Sequence, residues 1–349
     1  MRILLWPISF LYSIVLTIRH KFYDWRIFKS LRFDYPTIGV GNLNLGGTGK
    51  TPTVEYLINL LKGSYKVATL SRGYGRTTKG FQRADNQSTS ETIGDEPLQY
   101  FHKFPDIQVA VNKDRVDGVR KLLRGKETPD VILLDDAFQH RSLKVELNLL
   151  LTEYHHLYCN DFLFPTGTLR DVKWSAKRAD IIVVSKSPKV LSAEDKKLTI
   201  KKLNPTEYQK VFFSYLEYEP LKPLNEVAKL IEVGKVDSVL LFCGIAHPEP
   251  LIEELSKQFQ KLDTLTFADH YLYGKRDINH IIERYQAMQG ERKIVVTTEK
   301  DASRLTNSPY LCQFEATPLF AQPIGVHFHE EEEFNEEILN YVRENKHHC

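Results

Sequence analysis

The chain has 349 residues, long enough for two domains, and its apolar (42%), aromatic (11%) and charged (26%) fractions are ordinary for a soluble globular protein. A formal net charge of +2 implies no general nucleic-acid-binding surface. The four cysteines, Cys159, Cys243, Cys312 and Cys349, are scattered without a C-x-x-C pair, which fits a reducing, cytosolic setting.

Ile3 to Ile18 carries no charged residue. The run is shorter than the roughly 20 residues that span a bilayer, Pro7 interrupts its first turns, and no small-x-small cleavage site closes it. Arg19-His20-Lys21-Phe22-Tyr23-Asp24-Trp25-Arg26 follows. Basic and aromatic residues beside an apolar helix suit an anionic membrane surface. Residues 1–33 are therefore expected to form a membrane-associating helical segment, attached monotopically or peripherally on the cytoplasmic side. The competing expectation is a helix buried against the protein's own body.

Thr37-Ile38-Gly39-Val40 leads into Gly46-Gly47-Thr48-Gly49-Lys50-Thr51, and Thr51 to Leu61 continues with apolar residues at helical spacing. Strand, glycine loop and helix is the context of a phosphate-binding loop. Glycines let backbone N–H groups converge on phosphate oxygens, and the helix N-terminus adds favourable partial charge. Lys50 is placed to reach the β- and γ-phosphates and the Thr51 hydroxyl to face Mg²⁺. Asn44 stands where the usual pattern has its first glycine. Asparagine tolerates left-handed backbone better than most residues, so the loop can still turn there.

Apolar strands then alternate with helices. Strands are expected at Val67 to Ser71, Ile107 to Val111, Val131 to Leu134, Leu147 to Leu151 and Ile181 to Val184. Helices are expected from Asp95 and over Lys113 to Leu123, and a polar, turn-rich loop runs from Tyr74 to about Gly94. This alternation argues for a mostly parallel sheet covered by helices. Glu219-Pro220-Leu221-Lys222-Pro223 reads as a crossing point between lobes. Beyond it come a strand at Val239 to Cys243, a helix from Pro248 to Leu262, a segment Leu265 to Phe267, a helix near Ile278 to Met288, and a strand Ile294 to Thr298. A C-terminal helix near Phe334 to Val342 is expected to close this smaller lobe. The expected division is 1–33, a nucleotide-binding domain at 34–218, and a smaller α/β lobe at 219–349.

Asp135-Asp136 ends an apolar strand where a phosphate-loop fold places its metal-binding carboxylate. Arg72, Arg76, Lys113 and Arg115 could grip phosphate groups or lie exposed. Asp95 at a helix start has an N-cap as its plain reading. Thr298-Glu299-Lys300-Asp301 ends a strand and could face a cleft or form a solvated turn. His155-His156-x-x-Cys159 and His347-His348-Cys349 have metal-ligand types but no second half of a site, and neither is read as a metal centre.

Taken together these residues resemble the tetraacyldisaccharide 4'-kinase (lipid A 4'-kinase) family. The resemblance rests on Val40-Gly41-Asn42 with Gly46 to Pro52, Ser71-Arg72-Gly73-Tyr74, Gly94-Asp95-Glu96-Pro97, Lys113-Asp114-Arg115 and Leu134 to His140. It continues through Pro165-x-Gly167-x-Leu169-Arg170, Arg178-Ala179-Asp180, Gly244-Ile245-Ala246-x-Pro248, Ala268-Asp269-His270 and Thr298 to Ala302. Any one of these is weak, but in family order over nearly the whole chain they are specific. Ala137 stands where many relatives are expected to carry glycine.

The resemblance implies that ATP with Mg²⁺ phosphorylates the 4'-hydroxyl of a tetraacylated glucosamine disaccharide 1-phosphate, giving lipid IVA. The setting it implies is the cytoplasmic face of a Gram-negative-type inner membrane, with the acyl chains kept in the bilayer. It implies Asp95 as catalytic base assisted by His270, the two meeting across a cleft between lobes. Lys50, Mg²⁺ and Arg115 would supply positive charge; Thr51, Asp135 and Asp136 would hold the metal. It implies no nucleic-acid partner and identifies no protein partner. Two other classes compete. A membrane-attached ATPase switch usually carries a lysine where Leu45 stands. A non-catalytic nucleotide-binding scaffold would have no use for so many carboxylates beside Lys50.

Overall fold

The computed structural model describes residues 2–306 and 310–346. They form two compact units. One contains the residues up to Asn86, Phe104–Glu217 and those from Val326 onward; the other contains Gln87–Lys103 and Tyr218–Gly325. Two segments thus lie outside the contiguous ranges expected for them. The helix Asp95–Lys103 belongs with the later unit, where Lys103 Nζ pairs with Glu299 at 2.8 Å. The C-terminal helix Glu331–Lys346 belongs with the first unit rather than closing the smaller one. Its stripe Phe334, Ile338 and Val342 is fully buried, and the Phe334 ring lies 3.8 Å from that of Phe328 and 5.3 Å from that of Phe212.

The first unit is built on a sheet of nine strands among the described residues. From edge to edge they are Ile324–Phe328, Lys210–Tyr218, Ile181–Ser185, Leu147–Glu153, Thr37–Asn42, Val131–Asp135, Val67–Ser71, Gln108–Val111 and Gln82–Arg83. The six pairings from Lys210–Tyr218 across to Gln108–Val111 are parallel. Only strands apolar on both faces survive in such a position, which is why runs like Val131-Ile132-Leu133-Leu134 are wholly buried. Thr37–Asn42 is central, and its register sets Val40 beside Asp135. Gly41 has no room for a side chain, since a Cβ there would lie 2.6 Å from Phe138 Cβ.

The N-terminal helix runs from Trp6 to Asp24 after a 3₁₀ turn at Arg2–Leu5. Pro7 falls in its first turn, where a missing N–H costs nothing, so it starts the helix instead of interrupting it. Only Ser9, Leu16 and His20 are buried. His20 Nε2 meets Asp171 at 2.6 Å, and Tyr12 OH donates to Arg170 O at 3.1 Å. The helix therefore rides on the unit by a narrow stripe and turns Trp6, Ile8, Phe10, Leu11, Ile14 and Val15 outward. A helix buried in the protein's own body would do the opposite. No helix among the described residues is long and apolar enough to cross a membrane.

The second unit has a five-stranded sheet among the described residues, ordered Lys222–Pro223, Leu319–Gln322, Lys293–Thr298, Ser238–Cys243, Lys261–Thr266. All its pairings are parallel except the first. The helix expected to reach Leu262 stops at Gln258, and Lys261–Thr266 is an edge strand beside Ser238–Cys243. Its sequence Lys-Leu-Asp-Thr-Leu-Thr carries helix-compatible charge, and only pairing with an apolar neighbour makes it a strand.

Candidate active site

At the carboxyl end of the central strand the chain enters the glycine loop, the position where open parallel sheets bind ligands. Gly46 and Gly49 have φ of +111° and +83°, backbone that only glycine adopts cheaply. A Cβ at Gly46 or Gly47 would meet nothing within 4 Å, so the loop backbone borders open space. Gly49 caps the helix Lys50–Leu61, whose N-terminus faces that space. Asn44 is not among the residues of positive φ, so the left-handed backbone that asparagine tolerates is not used there. Its side chain instead ties the loop down, donating to Asp161 at 3.1 Å and Thr168 at 3.2 Å.

Lys50 Nζ donates to Asn42 Oδ1 at 3.2 Å and lies 3.6 Å from Asp136 Oδ1. Arg170, which the sequence offered only as part of a motif, joins them. Its Nη1 reaches Asp136 Oδ2 at 2.9 Å, and its Nη2 contacts Asp136 Oδ1 and the Asn42 side chain. Burial works against ionisation of Asp136. The Arg170 hydrogen bonds and the Lys50 charge outweigh it and hold the carboxyl well below the usual range. Asp136 also has φ +51°, a strained conformation for an L-residue. Both of its oxygens face cations of the chain.

Asp135 is buried at the strand end beside Val40. Arg115, expected to grip phosphate, is 1% exposed and donates to the carbonyls of Asn112 (2.6 Å) and Asp135 (3.3 Å). It braces the strand end, and burial pushes its guanidinium down to about 10. His140 lies near the same charges. Burial, with Arg115 and Arg72, pushes it down to about 4, so it is neutral at pH 7. Thr48 Oγ1 is buried without a hydrogen-bond partner among the described residues.

No group of three or more His, Cys, Asp or Glu that could hold a metal occurs among the described residues. His347-His348-Cys349 lies outside the described residues. Thr51, Asp135 and Asp136 offer hydroxyl and carboxylate oxygen, the donor chemistry of Mg²⁺.

The second unit carries the other predicted residues. His270 Nδ1 lies 2.7 Å from Asp95 Oδ2. The same oxygen accepts from Arg304 Nε at 3.1 Å and Nη2 at 2.7 Å. Both residues belong to one unit, so their pairing needs no meeting of two lobes. Burial alone would raise the Asp95 carboxyl, but the His270 and Arg304 hydrogen bonds and the Arg304 charge hold it well below the carboxylate range. Arg304 is itself fixed. Its Nη1 donates to Asp301 at 2.7 Å and to Gly244 O at 3.1 Å, while Thr298 Oγ1 and Gly244 N hold the other Asp301 oxygen. Thr298 to Asp301 is therefore a buried anchor rather than a solvated turn. His270 sits at φ +59°, and its Nε2 is 3.3 Å from Lys300 Nζ. Arg304 escaped sequence reasoning because nothing distinguishes a buried arginine in a helix from a surface one. The only hint is its spacing of three from Asp301.

The family model for tetraacyldisaccharide-1-P 4'-kinase (LpxK) matches residues 1–343. A tetraacyldisaccharide 4'-kinase of Bacteroides thetaiotaomicron is 42% identical, covering 98% of this chain and 93% of that protein. One of Flavobacterium johnsoniae is 43% identical, covering 99% and 98%. Among solved structures, the "apo" form of LpxK from Aquifex aeolicus in complex with ATP superposes with a TM-score of 0.73 at 29% identity, covering 98% of this chain and 99% of that one.

Proposed function

The chain belongs to the tetraacyldisaccharide-1-P 4'-kinase family, and on that premise we propose how its residues carry the transfer. It is an ATP-dependent kinase that phosphorylates the 4'-hydroxyl of tetraacyldisaccharide 1-phosphate to give lipid IVA, a step of lipid A biosynthesis. The observation that carries the residue assignment is the convergence of Lys50 and Arg170 on Asp136 and Asn42 at the mouth of the glycine loop. The N–H groups of Gly46 to Thr51 cradle the phosphates. Asp136 keeps two cations aimed at the loop, where the transferring phosphoryl oxygens compete for them. Phosphoryl transfer needs this positioning and charge more than covalent help.

Thr51, Asp135 and Asp136 would hold Mg²⁺, which when bound neutralises phosphate charge. The acceptor proton goes to the Asp95–His270 pair. Asp95 is the base, its carboxylate oriented by Arg304 and assisted by His270, whose Nδ1 lies 2.7 Å from Asp95 Oδ2. The outward apolar face of the N-terminal helix, with Lys21 in its last turn, lies on the cytoplasmic surface of the inner membrane and keeps the enzyme beside its acylated substrate.

Labelled ATP and tetraacyldisaccharide 1-phosphate test the reading. Wild type should yield a product with a second phosphate, and Asp95→Ala and Lys50→Ala should each lose it. Undiminished transfer by either variant would remove that residue's role.

A further inference from the structure

The stretch from Asp161 to Arg170 is tied down on two sides. Asp161 accepts from the N–H of Phe162 (2.7 Å) and of Thr168 (3.1 Å) and from the Asn44 side chain of the glycine loop (3.1 Å). Gly167 fits only as glycine, since a Cβ there would lie 2.2 Å from Asp161 Oδ1 and 2.3 Å from Phe162 O. On the other side, Ser9 Oγ of the N-terminal helix donates to Leu163 O at 3.0 Å and accepts from Thr166 N at 3.0 Å.

A loop held this firmly exposes side chains by construction, not by slack. Asp161 and Leu169 are inside, while Phe162 and Phe164 are 58% and 53% exposed. Polar side chain in and aromatics out is the reverse of a surface loop in water. The Ser9 hydrogen bonds make these rings continuous with Ile8 and Phe10, which are also exposed on the helix. Lys173 Nζ lies 5.3 Å from the Phe162 ring, and Trp174 is part-exposed beside it. Aromatic rings edged by a cation match the boundary between anionic headgroups and acyl chains.

We propose that Phe162 and Phe164 are a second lipid-inserting element of this protein, entering an anionic bilayer surface alongside the N-terminal helix. The proposal rests on the membrane-surface reading of that helix. Stable attachment to a bilayer generally takes two apolar or electrostatic elements rather than one.

The test uses the full chain and vesicles of phosphatidylglycerol and phosphatidylcholine. Phe162→Ser/Phe164→Ser should weaken vesicle partitioning about tenfold or more, with the circular dichroism spectrum and ATP affinity unchanged. Ile8→Ser/Phe10→Ser is measured in parallel. If the helix variant loses binding and the loop variant keeps wild-type partitioning, the proposal is overturned and the membrane reading stands. If the helix variant keeps wild-type partitioning, the membrane reading falls and takes the proposal with it. Phe164→Trp preserves bulk and covers the case of a misfolded serine variant. It should add emission quenched by brominated lipid beyond that of the parent, and no added quenching overturns the proposal.

Discussion

Replacing Arg304 with methionine isolates the buried charge cluster of the second unit. The Arg304 side chain is 1% exposed, and its partners Asp95 and Asp301 are 11% and 0% exposed. Three of its N–H groups go to carboxylate oxygens and one contact is to Gly244 O. Methionine fills much of the space but leaves two buried carboxylates without their shared cation. Removing one partner of a buried pair costs about 3–5 kcal/mol. Losses of that size should appear in urea unfolding at pH 7. The probe must be far-UV circular dichroism or hydrogen exchange over residues 95–103, because Trp6, Trp25 and Trp174 all lie in the other unit. Without Arg304 the Asp95 carboxyl rises towards its ordinary value, so any acid limb of the kcat–pH profile moves to higher pH. A cycle with Asp95→Asn should give a coupling of about 0.5–3 kcal/mol. A loss below about 1 kcal/mol with no coupling would show that Arg304 does not hold Asp95, and the orienting role given to Arg304 would lose its basis.

Lys50→Ala should cost about 3 kcal/mol or more of barrier with the fold intact, read as kcat on protein of unchanged circular dichroism; Thr51→Ala should lower activity and raise the Mg²⁺ requirement. His270→Ala and Asp95→Ala should each lower kcat by about 10²–10⁴ with little change in ATP affinity, and the double variant should be little worse than the poorer single one. Fully multiplicative losses would mean that the two act independently. Gly41→Ala forces a methyl against Phe138 and should destabilise the first unit by about 1–3 kcal/mol, measured by tryptophan-detected urea unfolding. Asp95 and Asp136 ionise below their ordinary 3.8 when folded, so the unfolded chain takes up those protons first as pH falls. Their stabilisation is present above the unfolded value and is lost as pH drops from about 5 through the folded values. Unfolding titrations of Asp136→Asn should show a shallower acid loss than wild type.

The features legible in the sequence are those that need only their neighbours along the chain. Glycines at 46, 47 and 49 followed by Lys50 imply a phosphate loop because backbone freedom and a helix N-terminus are local properties. The buried strands announced themselves because a strand covered on both faces must be apolar throughout. The edge strand Lys261–Thr266 did not, since half its side chains need no cover and its pattern imitates a helix end. The backbone tolerance of Asn44 was visible in the sequence, whereas its side-chain partners, Asp161 and Thr168, were not.

By itself, then, the sequence determined the strand–glycine loop–helix pattern, the alternation of strands and helices, the family, and the pairing of Asp95 with His270 that the family implies. Tertiary structure alone decided which carboxylate pairs with which cation. Asp135 and Asp136 are adjacent in the chain, yet Arg115 bonds only the backbone carbonyl of the first, while the carboxylate of the second, at φ +51°, turns to Arg170 and Lys50. Arg304 stands 209 residues from Asp95 along the chain. Its pairing is set by how the helices Asp95–Lys103 and Glu299–Thr306 pack, and it is strong because both charges are buried together, a condition that no local pattern of residues encodes.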